Sequence, residues 1–188
     1  MKIQTANQLS GRAIGSIFFA GFGAGWLFMA LAARQKISFV TVTGVMLGMV
    51  SLLVMAAYLL RQAKRWPRVP DDPGIGRAFG WINAIQWTAV FLVAFTLGKL
   101  HLDAFIISAI TAIVGIHMFP LARLFRYPMH NITGSVLVAW AAASAVWLPT
   151  ETMQSVAAMG TGAILWLASA VTLGMAFVAA RNSPDTAI

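Results

Sequence analysis

Cysteine is absent from the chain, which excludes disulfides, thiol nucleophiles and thiolate metal sites together. Acidic residues are nearly absent: Asp and Glu number 5, and Glu151 is the single glutamate. Paired carboxylates for general acid–base work are therefore missing. Charge of either sign is scarce, at 10% of the residues, against roughly 25% in an ordinary soluble domain. What is present instead is apolar: 60% of the 188 residues are hydrophobic, and mean hydropathy is +0.81. A water-facing globule and a disordered chain are both excluded by that balance, and the sequence predicts a membrane protein.

The 13 Lys and Arg give a net charge of +8. In a multi-pass protein such an excess is a topology signal, because basic residues collect in cytoplasmic loops. They are neither interleaved with exposed aromatics nor set in a nucleic-acid-binding module, so no nucleic-acid partner is expected. A helix that crosses lipid needs about 20 apolar residues, and six such segments can be marked: 13–33, 38–60, 78–98, 104–125, 132–148 and 156–180. Irregular backbone cannot face lipid, so the predicted fold is all-α, a single polytopic transmembrane domain of six transmembrane helices over residues 1–188. The unbroken apolar runs exclude a β-barrel.

Sorted by loop, Lys2, Arg12, Arg61, Lys64, Arg65, Arg68, Arg77, Arg123, Arg126 and Arg181 fall on the side of the N-terminus; Arg34, Lys36 and Lys99 fall on the other. Both termini are accordingly expected in the cytoplasm. Ala30-Leu31-Ala32 resembles a signal-peptide cleavage site, yet the apolar stretch before it is longer than the usual h-region, and the first segment is read as a retained helix. The loop 61–77 carries Pro67, Pro70, Pro73 and Gly74 around Asp71 and Asp72. It reads as a cytoplasmic connection ordered by proline, with Arg61, Lys64, Arg65 and Arg68 serving either topology alone or contact with anionic lipid.

One internal repetition stands out. Gly25, Leu31, Ala32, Thr43 and Gly44 recur ninety positions on as Gly115, Leu121, Ala122, Thr133 and Gly134. Two three-helix halves would lie inverted in the bilayer, as in many transporters; chance similarity among small-residue-rich helices is the competing explanation. Small residues four apart let helix backbones approach closely, and Gly21/Gly25, Gly44/Gly48, Gly76/Gly80, Ala158/Gly162 and Ala170/Gly174 have that spacing. These are expected to pack helices within the chain or to build a homo-oligomer. Trp26, Trp66, Trp81, Trp87, Trp140, Trp147 and Trp166 mostly fall near segment ends, as an aromatic belt requires.

A polar side chain inside a span costs on the order of 2.5–3.5 kcal/mol by insertion scales, so each needs a partner or a purpose. Asn83 and Gln86 share one face of the third segment, and His117 lies in the fourth, followed by Pro120. Counted outward from the turn near His101, Gln86 and His117 fall at nearly the same depth. Pro120 has no N–H for the carbonyl of Ile116 and is expected to bend the helix there. His117, Gln86, Asn83 and Pro120 form the candidate ligand-binding group. Two readings stand side by side: a pocket for a small polar solute or a proton, or hydrogen bonds that merely join two helices.

The remaining polar residues point to less. Arg123 can snorkel to phosphate groups, His130 and Asn131 are expected to cap the fifth helix at the inner boundary, and Thr150-Glu151 to begin the sixth. With His101, His117 and His130 expected at three different depths, no metal or bis-histidine haem site is predicted, and no cofactor. A Ser-His-acid set is missing, so no catalytic residue is assigned and no enzyme is expected. The run Gly115-Ile116-His117-Met118-Phe119-Pro120-Leu121-Ala122, with Pro128 and Thr133-Gly134 after it, resembles a G-x-H-x-x-P-L-A segment of small, uncharacterised six-helix bacterial membrane proteins. That resemblance covers one helix and its following loop. It implies an inner-membrane location and emphasises His117 and Pro120, without supplying an activity. The expected function is small-solute or ion passage between helices 3 and 4, with lipid and other copies of the chain as neighbours; the alternative is a non-transporting subunit or scaffold for a partner protein.

Overall fold

A computed structural model describes residues 5–70 and 72–181; Lys2, Asp71 and the tail beyond Arg181 lie outside them. The described residues form six α-helices and one short 3-10 turn. They are α1 (Ala6–Ala33), α2 (Phe39–Ala63), α3 (Pro73–Lys99), the turn Asp103–Phe105, α4 (Ile106–Leu124), α5 (Met129–Trp147) and α6 (Thr150–Arg181). Five of these, all but α5, are long and apolar enough to cross a membrane. Four helices, α1, α3, α5 and α6, begin ahead of the expected apolar segments, while α2 and α4 begin one and two residues after them; side-chain caps mark the starts of α1, α2 and α3. Thr5 accepts from the amide of Gln8 ahead of α1. Ser38 and Thr41 form a reciprocal capping box at α2, satisfying two backbone donors at once. At α3, Asp72 accepts from the amide of Gly74 at 2.8 Å, with Pro73 at the first helical position, where its missing N–H costs nothing.

Three helices stop in the same way without glycine. Gln35, His101 and Arg126, just beyond α1, α3 and α4, all have φ near +50° (52°, 57° and 48°). In each case the residue after it donates back five positions: Lys36 to the carbonyl of Leu31, Leu102 to Leu97, and Tyr127 to Ala122. This is the Schellman closure, which satisfies carbonyls that the helix end leaves open.

The core is built along α6. Its long apolar face packs most extensively on α1, while α4 and α5 form a tight hairpin and α2 covers the outer side of α1. The apolar cluster of Leu9, Ala13, Ala56, Leu59, Leu173 and Ala176 joins α1, α2 and α6 at one end; Phe19, Met118, Leu121, Leu137 and Leu165 join α1, α4, α5 and α6 in the middle. In contrast, α3 packs on α4 and the short turn, and none of its residues is buried.

Glycines decide the two closest crossings. A Cβ at Gly134 would stand 2.6 Å from the carbonyl oxygen of Gly115, and one at Gly162 would stand 2.8 Å from that of Gly23. The expected Gly21/Gly25, Gly44 and Gly76/Gly80 positions have nothing within 4 Å, as does Gly174. The reason is angular: the buried stripe of α1 runs through Leu9, Arg12, Ser16, Ala20 and Gly23, so Gly21 and Gly25 point away from α6. The repeated glycines are thus used differently: Gly115 and Gly134 clasp, while their counterparts Gly25 and Gly44 have nothing within 4 Å.

Two tryptophans also depart from the belt expectation. Trp166 lies against Gly23 of α1 and Gly48 of α2 and donates its indole N–H to the carbonyl of Ala20 at 3.0 Å. Trp140 lies against Gly160 and donates to the carbonyl of Ala157 at 3.0 Å. Both fill hollows that glycine leaves.

At the α1 end, the loop before α3 is pinned by an amide-to-backbone clasp. The side chain of Asn7 donates to the carbonyl of Val69 at 2.9 Å and accepts from its N–H at 3.1 Å, and Ala6 donates to the carbonyl of Pro67.

Candidate functional site

Hydroxyl groups spaced along the helices meet across the core. Ser108 and Ser144 pair at 2.8 Å between α4 and α5, Thr111 and Thr161 at 2.8 Å between α4 and α6, and Ser169 donates to the carbonyl of Ser16 at 3.0 Å. Thr111 and Thr161 also each contact the carbonyl four residues back. Two protons thus serve three contacts, and the pair is tied to its own helices as well as to each other. Toward the opposite end from the Asn7 clasp, the guanidinium of Arg34 donates to Ser155 at 3.0 Å, and Gln154 donates to the carbonyl of Asp103 at 2.7 Å. These groups are satisfied, and they hold the bundle together.

The unsatisfied groups concentrate elsewhere. Among the described residues, the buried side-chain nitrogens and oxygens without a hydrogen-bond partner are Arg12 Nη1, Ser16 Oγ, both ring nitrogens of His117, and His130 Nδ1. Leaving such a group buried and unpaired costs about 1–3 kcal/mol, so four residues in this state within one fold call for an explanation.

They are neighbours. Arg12 and Ser16 are one turn apart on α1 and share its buried stripe. The Arg12 guanidinium carbon lies 5.0 Å from the ring centroid of Tyr127, in the turn between α4 and α5. Tyr127 in turn meets the His130 ring edge-on at 5.2 Å. His130 also stands edge-on to Phe19 of α1 at 5.8 Å, and Phe19 packs in one cluster with Met118, the residue after His117. The expectation that His130 and Asn131 cap α5 is corrected. Pro128 occupies the cap without a side-chain bond, Asn131 is exposed, and the His130 ring folds inward. The α4–α5 hairpin causes this: with the two helices clasped at Gly115 and Gly134, the start of α5 lies alongside the last turns of α4.

The residues singled out in the sequence are arranged unevenly. His117 is half-buried on α4, between Val114 and Leu121 on the same strip. Both of those pack in one cluster with Ile82 of α3. Gln86 lies one turn after Ile82 and is half-buried like Asn83, which puts the α3 amides on the side that meets α4. No hydrogen bond joins Gln86 to His117, since both imidazole nitrogens are free of partners. Asn83 donates to the carbonyl of Phe79 on its own helix at 2.8 Å. Pro120 sits inside α4, exposed, and the helix continues past it to Leu124.

Arg12, Ser16, Tyr127 and His130 were missed by the sequence reading. Arg12 was counted as a boundary charge and is 9% exposed; the signal that could have found it is its three- and four-residue spacing from Leu9 and Ser16 on the packing face. Comparison with protein-family models, curated proteins and solved structures returns no match for this chain.

Proposed function

We propose that the chain is a multi-pass protein of the bacterial inner membrane, with both termini cytoplasmic, that passes a small polar solute or an ion through a site centred on His117. In this reading α5, at 19 residues and thus about 28 Å long, is a sixth span, and the two three-helix halves are inverted. The observation that carries the proposal is the pair of imidazole nitrogens buried inside an apolar bundle with no partner. A histidine kept only as helix glue would be hydrogen-bonded to Gln86, and it is not. A neutral imidazole offers one donor and one acceptor, and intramembrane ionisable residues mark solute and proton paths. Gln86 and Asn83 would supply further polar contacts from α3, and Pro120 the departure from regular helix geometry beside the site. Because α3 is held only from one side, it is the element whose displacement would open a path at least cost.

Reconstitution into liposomes loaded with a pH-sensitive dye tests this. An imposed acid step is expected to drive proton entry at least about tenfold faster than in empty liposomes, or a glycerol step to drive swelling. His117→Leu should bring the active mode to background and Arg68→Ala should leave it intact. A His117→Leu protein as stable and as permeable as wild type overturns the proposal. Topology has its own test, simple in a chain without cysteine: Arg68→Cys, in the exposed loop, should react with an impermeant maleimide only from the cytoplasmic side. Labelling in intact cells would overturn the orientation.

A second reading, a non-transporting subunit that holds a partner protein, is favoured by α3. That helix has no buried residue and presents Trp81, Ile85, Phe91, Leu92 and Phe95 outward, with Gly76 and Gly80 open.

A further inference from the structure

The guanidinium of Arg12 poses a problem that the His117 site does not solve. It is a permanent charge, 9% exposed, and its Nη1 has no partner. The described acids are elsewhere: Asp72 caps α3, while Asp103 and Glu151 begin the 3-10 turn and α6, at the far end of the bundle from Arg12. An unpaired buried charge is among the costliest features a fold can carry. The Tyr127 face answers part of it, through a cation–π contact worth about 0.5–2 kcal/mol. Tyr127 is itself fixed, its hydroxyl donating to Thr172 on α6 at 3.2 Å. This ring positions the guanidinium without neutralising it.

The other orphaned groups around it are of one kind. Ser16 Oγ can donate from one turn along α1, and His130 Nδ1 can donate from across the Tyr127 ring. Guanidinium, hydroxyl and imidazole N–H are donors arrayed on two helices, α1 and α5, with a positive charge among them and no acceptor assigned. A carboxylate presents two oxygens, whereas a phosphate presents three or more and matches the guanidinium fork. Arg12 also lies near the start of α1, ahead of its apolar run, at the level where phospholipid headgroups stand.

We propose that Arg12, Ser16 and His130 form an internal binding site for a phosphate group, carried by an anionic phospholipid headgroup or free as inorganic phosphate, with Tyr127 as the positioning residue for the guanidinium. The site is distinct from passage at His117 and does not rest on it.

The test uses the full chain in two arms. In detergent, thermal unfolding is followed with added sodium phosphate against sodium chloride of equal ionic strength. In nanodiscs, it is followed in phosphatidylglycerol against phosphatidylcholine. Wild type is expected to gain several degrees in at least one arm, and Arg12→Gln to lose that gain while the exposed Arg68→Gln keeps it. A gain with phosphate alone assigns a free anion; a gain with phosphatidylglycerol alone assigns the headgroup. No gain in either arm for wild type overturns the proposal, and so does an equal gain in Arg12→Gln. Should Arg12→Gln fail to fold, Ser16→Ala and native mass spectrometry of wild type decide. Retained phosphate or phosphatidylglycerol, lowered at least tenfold in Ser16→Ala, supports the site, and its absence from wild type overturns it. His117→Leu should keep the full gain, which separates this result from the permeation assay.

Discussion

Leucine in place of Gly134 is expected to abolish recovery of a folded, monodisperse protein, whereas leucine in place of Gly21 leaves it unchanged. The two glycines are chemically alike and differ only in what faces them. At Gly134 a Cβ would stand 2.6 Å from the Gly115 carbonyl oxygen and 2.9 Å from Met118 Cβ. The first of these is backbone, which no rotamer change can move. At Gly21 there is nothing within 4 Å, and the residue is exposed. Alanine at Gly134 should already cost about 2–3 kcal/mol, at the upper end of overpacking penalties, because the helices must part and the Ser108–Ser144 bond lengthens with them. Leucine adds a volume that the α4–α5 crossing cannot hold. Denaturant unfolding in mixed micelles, with Gly21→Leu as control, measures the difference. A Gly134→Leu protein that unfolds at the wild-type midpoint would show that the crossing is looser than described.

Trp166→Ala is expected to cost about 2–4 kcal/mol, a typical range for emptying a large core position. Its mechanism differs from the same change in water. Lipid tails are as apolar as the core, so little is gained by hiding an indole from them. What is lost is contact, together with the hydrogen bond to the Ala20 carbonyl. The side chain reaches two glycines on two different helices, Gly23 and Gly48, and so joins α1, α2 and α6 at once. Trp147→Ala, at a position 78% exposed, should stay within about 0.5 kcal/mol of wild type, as surface changes do. Equal losses in the two variants would mean that tryptophans act here through the interface with lipid and not through packing.

Much of the architecture could be read before any coordinates. Apolar run length located the helices, since a helix is the one economical way to bury a lone backbone segment in lipid. Their ends were less visible: Gln35, His101 and Arg126 take a left-handed conformation that sequence reading assigns to glycine. Glycine spacing misled for a similar reason. A four-residue repeat shows that a helix has a smooth side, but which side meets a neighbour depends on the whole bundle, and on α1 it is Gly23 that does so. The candidate site was half visible. His117 stood out because imidazole in an apolar run is rare. Arg12 and His130 did not, because burial of an end-of-helix charge depends on the α4–α5 turn folding over it, and no local pattern encodes that turn.

The pairing of α1 with α6 has a consequence for synthesis. The ribosome delivers α1 first and its principal partner last, so four intervening helices are made while the Ser16–Gly23 stripe waits without its cover. The Asn7 clasp on Val69 can close as soon as the loop emerges, retaining α2 beside α1 in the interim. A chain interrupted before Thr150 would thus hold its glycine face open within the bilayer, a state that quality-control proteases are suited to recognise.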